Sequence, residues 1–141
     1  MKKQALTLIG VLSLLLAVGS AWAQGHDQAV RANIPFKFVV NKQAMPAGEY
    51  EIGRFGNGGD VLLIHGVDTN TNMLVASNSA QSLNPADATK LIFKRYGDRY
   101  FLSQVWIAGN RSGRQLPKSA HETEVAMDFS STNVIVLASL R

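Results

Sequence analysis

No cysteine occurs among the 141 residues, and there are only four prolines and three histidines. Without a thiol there is no disulfide framework, no thiolate metal site, no thiol nucleophile and no lipobox to acylate. His26, His65 and His121 do not stand in a metal-ligand spacing such as H-x-x-x-H. The serine elbow G-x-S-x-G and the zinc-protease pattern H-E-x-x-H are missing as well. Long apolar runs are scarce too. After Val18 none approaches the roughly 18 residues that a spanning helix needs.

The one long apolar run defines the N-terminus. Lys2 and Lys3 precede Ala5 to Val18, and Ala21-Trp22-Ala23 follows. A basic start, a short apolar centre and a small-x-small site read as a secretory signal peptide over residues 1–23, cleaved after Ala23. The mature chain is then residues 24–141, a single domain exported to the periplasm or the extracellular space. Loss of Lys2 and Lys3 lowers the formal charge from +4 to +2. The composition that remains is too apolar for a disordered segment. An exported domain without disulfides depends on core packing alone.

Strand signals dominate that domain. Ile34, Phe36, Phe38 and Val40 alternate with Asn33, Pro35, Lys37 and Val39, and Pro35 places the stretch at a sheet edge or a strand start. Met45-Pro46-Ala47-Gly48 is turn chemistry. Glu49 to Phe55 alternates again, with Tyr50 and Ile52 inward, before Gly56-Asn57-Gly58-Gly59 reverses the chain. Val61 to Ile64 reads as a buried strand and Met73 to Ala76 as a short one. Asn78 to Ala88 reads as a polar loop. Lys90 to Tyr96 and Arg99 to Ile107 form a hairpin about Gly97-Asp98, in which Phe93 faces Leu102, Leu91 faces Gln104 and Ile92 faces Ser103. Large apolar groups on both faces predict cover on both sides. Ala108 to Ser119 reads as a loop. Ser119 and Glu122 match a capping box, although Thr123, Val125, Met127 and Phe129 alternate like a strand; a short helix near 119–128 is preferred. Val134 to Leu140 closes the chain as a buried strand. The fold class is all-β: an antiparallel sandwich or barrel of about seven or eight short strands. These strands are too short for a membrane barrel.

Two stretches carry a resemblance. They are Asn33-Ile-Pro-Phe-Lys-Phe-Val-Val with Met45-Pro-Ala-Gly-Glu-Tyr50, and Leu91 to Trp106 (LIFKRYGDRYFLSQVW) followed by Gly113-Arg-Gln-Leu-Pro-Lys-Ser119. Together they resemble a family of small exported acidobacterial proteins of unknown function. The resemblance implies export and a β body with a helix after the LPKS-like segment; it implies no reaction and transfers no catalytic residue.

Charge is unevenly placed. Residues 90–118 hold Lys90, Lys94, Arg95, Arg99, Arg111, Arg114 and Lys118 against Asp98 alone, net +6, while the segments on either side are each −2. Tyr96, Tyr100, Phe101 and Trp106 interleave with these cations. The pattern suits a polyanion or acidic glycan, with Tyr100 and Trp106 as stacking groups. It suits still better a solvated hairpin whose charges deter edge pairing and whose Arg95 and Lys94 sit over Tyr100 and Phe101. Asp68 to Asn72 starts like a calcium loop, but Met73 replaces the required glycine. Cleavage after Ala23 would expose Gln24-Gly25-His26, whose nitrogens could hold Cu(II) or Ni(II) in a square plane.

The leading expectation is therefore a non-catalytic, exported binding module for an anionic polysaccharide or other envelope component, acting through residues 90–118. Nucleic acid is not an expected partner, and no cofactor is called for. The alternative is a carrier holding a small apolar ligand in a barrel interior. A third is a hydrolase-type enzyme using His65 with Asp60 or Asp68 and a serine.

Overall fold

The structure is a computed structural model that describes residues 28–141. The expected signal peptide and the copper site at Gln24, Gly25 and His26 lie outside the described residues. Among the described residues twelve strands and one helix follow in order. They are β1 (Val30–Ile34), β2 (Phe38–Val40), β3 (Gln43–Met45), β4 (Gly48–Phe55), β5 (Val61–Gly66), β6 (Asn72–Ala76), β7 (Asn78–Gln81), β8 (Lys90–Tyr96), β9 (Arg99–Trp106), β10 (Ser112–Gln115), α1 (Ala120–Asp128), β11 (Ser131–Leu137) and β12 (Ser139–Leu140).

They build two sheets. The smaller has the order β12-β1-β4-β5-β6; the larger runs β11-β8-β9-β10-β7, with β2 and β3 attached through β9. All pairings are antiparallel except the single β2–β9 contact at Val39 and Phe101. Of the two expected forms, sandwich or barrel, the outcome is the small all-β sandwich, and the sheets do not close into a barrel.

Alternation supplies the core. Val30, Ile34, Tyr50, Ile52, Leu62 and Ile64 from one sheet meet Phe38, Val40, Leu91, Phe93, Leu102 and Val105 from the other. Burying each large apolar side chain is worth about 1.5–3 kcal/mol relative to leaving it in water. Phe38 stands edge-on to both Tyr50 (5.0 Å) and Phe93 (5.5 Å), the favoured geometry for aromatic pairs. Tyr50 reaches out of this core to donate from its hydroxyl to the Pro46 carbonyl at 2.6 Å.

Several sequence expectations need correction. The Ile34–Val40 stretch is two strands in two sheets: Pro35, Phe36 and Lys37 carry the chain across the sandwich, and the burial rhythm survives because both strands face one core. Both expected loops contain strands. β7 and β10 pair with each other in register Ala80–Gly113, so neither shows an apolar face in isolation. The closing strand is not buried. β11 is the edge of the larger sheet, with Ile135 56% and Leu137 71% exposed, and Ala138 turns the chain into β12 of the other sheet. Val61 and Leu63 are only half-buried.

The 119–128 conflict resolves as a helix. Ser119 Oγ accepts from the Glu122 amide at 3.1 Å, and Val125 packs against Tyr96 and Phe101 on the outer face of the larger sheet. The second half of the capping box does not form. Instead the Glu122 carboxylate accepts from the Tyr96 hydroxyl at 2.9 Å. So the hairpin is covered on both faces, but only at its turn end, where α1 lies.

Candidate functional site

The β8–β9 hairpin contains a bulge that decides which side chains reach solvent. Phe93 pairs with Leu102 as expected, but Leu91 pairs with Val105 and Ile92 with Gln104, because Ser103 is an extra residue on β9. A bulge reverses the parity of everything beyond it. Val105 therefore enters the core, while Gln104 and Trp106 join Lys90 and Ile92 on the outer face. With regular pairing Trp106 would point inward and Val105 outward.

Trp106 lies flat on the sheet. A Cβ added to Gly113 would stand 2.7 Å from Trp106 Cδ2 and 2.7 Å from the Val105 carbonyl, so the ring occupies the space that a side chain at 113 would fill. Its indole N–H donates to Gln104 Oε1 at 2.8 Å, which leaves the Gln104 amide nitrogen as a donor. The loop of residues 82–87 forms a wall beside it. That wall is held by the Ser82 amide to the Arg111 carbonyl (2.8 Å), the Ala86 amide to the Asn110 carbonyl (2.9 Å) and the Gly109 amide to the Ala86 carbonyl (2.9 Å). Floor and wall enclose an open groove of about 440 Å³. Ile92, Trp106 and Pro85 make its apolar surface, and Lys90, Asp87 and Gln104 supply polar groups. Lys90 Nζ is 3.1 Å from Asp87 Oδ1, and this contact holds the Asp87 carboxyl below the usual aspartate range.

The other basic residues separate into groups. Lys94 shares the outer face of β8 with Lys90, and Arg99 shares the outer face of β9 at the turn end. Arg111 and Lys118 are exposed on neighbouring loops. Arg95 belongs to the opposite face: its guanidinium lies 5.6 Å over Tyr100 and its Nε donates to the Gly97 carbonyl at 2.6 Å. Tyr100 is no free platform, because Phe36 stacks on it at 3.9 Å.

Arg114 is engaged elsewhere. With its side chain 11% exposed, it donates to the Ser77 carbonyl (2.7 Å) and the Ser77 hydroxyl (3.0 Å) and lies 3.4 Å from Asp60 Oδ1. Ser77 is the crossover residue between β6 and β7, so Arg114 ties the two sheets together. The structure thus brings Lys90, Lys94, Arg99 and Trp106 to one face of the sheet and withdraws Arg95, Tyr100 and Arg114 from it. Sequence reading missed Gln104, Ile92 and the 82–87 wall, since only the bulge and the β7–β10 pairing assemble them.

His65 sits on the outer face of the smaller sheet, paired in register with Glu51 and Asn72. Its Nδ1 lies 2.6 Å from Asn72 Oδ1. A cleft of about 390 Å³ adjoins it, lined by Glu51, Arg54 and Arg141 among others, and no serine or threonine is in that lining. The suggested His65–Asp–Ser arrangement is not assembled there. No group of three potential metal ligands occurs among the described residues. Core side chains occupy the centre of the space between the sheets, small clefts of about 150 Å³ beside Val39 and Val75 and about 70 Å³ beside Ile52 and Val105 enter it, and the grooves near Trp106 and His65 both open on outer faces. No family model matches the chain, and neither does a curated protein or a solved structure.

Proposed function

We propose that the chain is an exported, non-catalytic binding module, and that it binds an acidic polysaccharide of the cell envelope or extracellular space. The groove beside Trp106 is the seat. The observation that carries this reading is the outward turn of Trp106 and Gln104 into a groove that also holds Lys90, with Lys94 and Arg99 on the same sheet face. The apolar faces of sugar rings suit Ile92 and Trp106, while hydroxyl and carboxylate groups suit Gln104 and Lys90. A concave, largely apolar surface with a few placed polar groups is the usual make-up of a ligand site.

Magnitudes argue for a polymer. An exposed ion pair contributes about 0.2–1 kcal/mol and weakens with salt. Lys90 must also exchange Asp87 for the ligand. A single acidic unit is therefore held weakly, and useful retention needs several units of one chain engaged together.

The test is retention on an immobilised sulfated or uronate polysaccharide over a salt gradient. Lys94→Glu combined with Arg99→Glu should elute at markedly lower salt than the unaltered protein, and Lys90→Gln should do the same to a smaller degree. Asp87→Asn frees the Lys90 ammonium and should shift elution to higher salt. Unaltered elution of the charge-reversed protein, or no retention of the starting protein at low salt, would refute the reading.

The apolar-carrier alternative has less support: the sheets form no barrel interior, and the clefts between them are only about 150 Å³ and 70 Å³.

A further inference from the structure

We infer that the outer edge of β11 is an interface for a second copy of this chain. The Ala138 amide donates to the Thr89 carbonyl at 2.9 Å, and the β11–β8 register continues unbroken from there through seven pairs, Leu137–Lys90 to Ser131–Tyr96. Hydrogen-bonded pairs alternate along an antiparallel ladder. Val136, Val134 and Thr132 therefore exchange bonds with β8, while the amides and carbonyls of Leu137, Ile135, Asn133 and Ser131 point away from it. No described strand pairs with that edge.

Edge strands of this length are normally protected by charge, proline, a bulge or a cover. Among the described residues β11 has none of these. Residues 131–140 contain no charged residue and no proline, and the ladder to β8 has no register shift. The edge is also apolar: beside Ile135 and Leu137, the neighbouring Leu140 of β12 is 47% exposed. The other sheet edges differ. β7 is four polar or small residues, and β6 faces Val39, Asn41 and Pro117 across a small cleft.

The absence of charge selects the occupant. In a two-fold antiparallel pair the strand meets its own sequence reversed, so this uncharged, apolar edge opposes a like edge with no charge left unpaired. Antiparallel pairing of two β11 edges needs a two-fold axis perpendicular to the sheet. That geometry keeps the outer faces of both larger sheets on the same side and brings the exposed Ile135 and Leu137 side chains of both copies together. Two seven-residue strands with apolar neighbours make a small interface, under about 1,200 Å² in total, so the dimer should dissociate on dilution.

The experiment is sedimentation or light-scattering mass of the protein recovered from a bacterial host, measured over a concentration series. A two-chain mass that falls on dilution is expected. Ile135→Lys and Ile135→Glu, both at an exposed position, should each hold the single-chain mass with unchanged circular dichroism, and mixing them should restore the two-chain mass. Ile135→Pro removes an outward-pointing amide without breaking a bond to β8 and should also give single chains. A single-chain mass for the unaltered protein at every concentration overturns the inference, whether residues 1–27 or nothing covers the edge. Variants that remain dimeric overturn it equally.

Discussion

At the scale of single residues, the least replaceable polar contact is Tyr96 with Glu122. Glu122 is 7% exposed, and its carboxylate accepts the Tyr96 hydroxyl at 2.9 Å beside Val125 and Phe101. Tyr96→Phe would leave a carboxylate oxygen without that donor in an apolar setting, at a cost of about 1–3 kcal/mol. Equilibrium denaturation at neutral pH measures it. Burial first, and the Glu122 contact second, raise the Tyr96 pKa above the ordinary 10.0, and burial does the same for Tyr50. The unfolded chain then ionises before the folded one. Stability from both tyrosines is intact below pH 10.0, declines as the pH climbs past it, and that alkaline slope should be shallower in Tyr96→Phe. Neither contact could be read from the chain alone: the Ser119–Glu122 spacing pointed correctly to a helix start, but which donor the carboxylate finds depends on a strand 26 residues away.

At the scale of elements, alternation made β4 legible, and apolar runs between turn signals made β5, β6, β8 and β9 legible, because each has a buried face of its own. β7 and β10 were not, since their shared face is Ala80 against Gly113, and small residues carry no pattern. The bulge at Ser103 escaped for another reason. Leu102, Val105 and Trp106 are apolar at positions that fit either parity, so the sequence is consistent with both registers. Deleting Ser103 is the decisive perturbation. It would restore regular pairing, drive Trp106 and Gln104 toward the core and expel Val105. The expected outcome is loss of cooperative unfolding. A well-folded deletion variant would show that the bulge does not set the face of Trp106.

At the scale of the whole molecule, the two sheets are joined by a shared core and by Arg114, which reaches Ser77 and Asp60, 37 and 54 residues distant in sequence. In the chain Arg114 is one cation among seven of the 90–118 segment; in the fold it is a tie between layers. Arg114→Leu should destabilise the domain by about 1–3 kcal/mol, because the buried Ser77 carbonyl and hydroxyl lose their donor. Polymer retention per folded molecule should barely change, which separates this arginine from Lys94 and Arg99. Dimerisation through β11 would set two grooves on one side, so a long polymer could engage both. The groove also carries its own reporter. The chain has two tryptophans, and Trp22 falls within the expected signal peptide. In the mature protein the indole fluorescence would come from Trp106 alone, so an emission shift on adding a ligand would signal occupancy of that groove without any label.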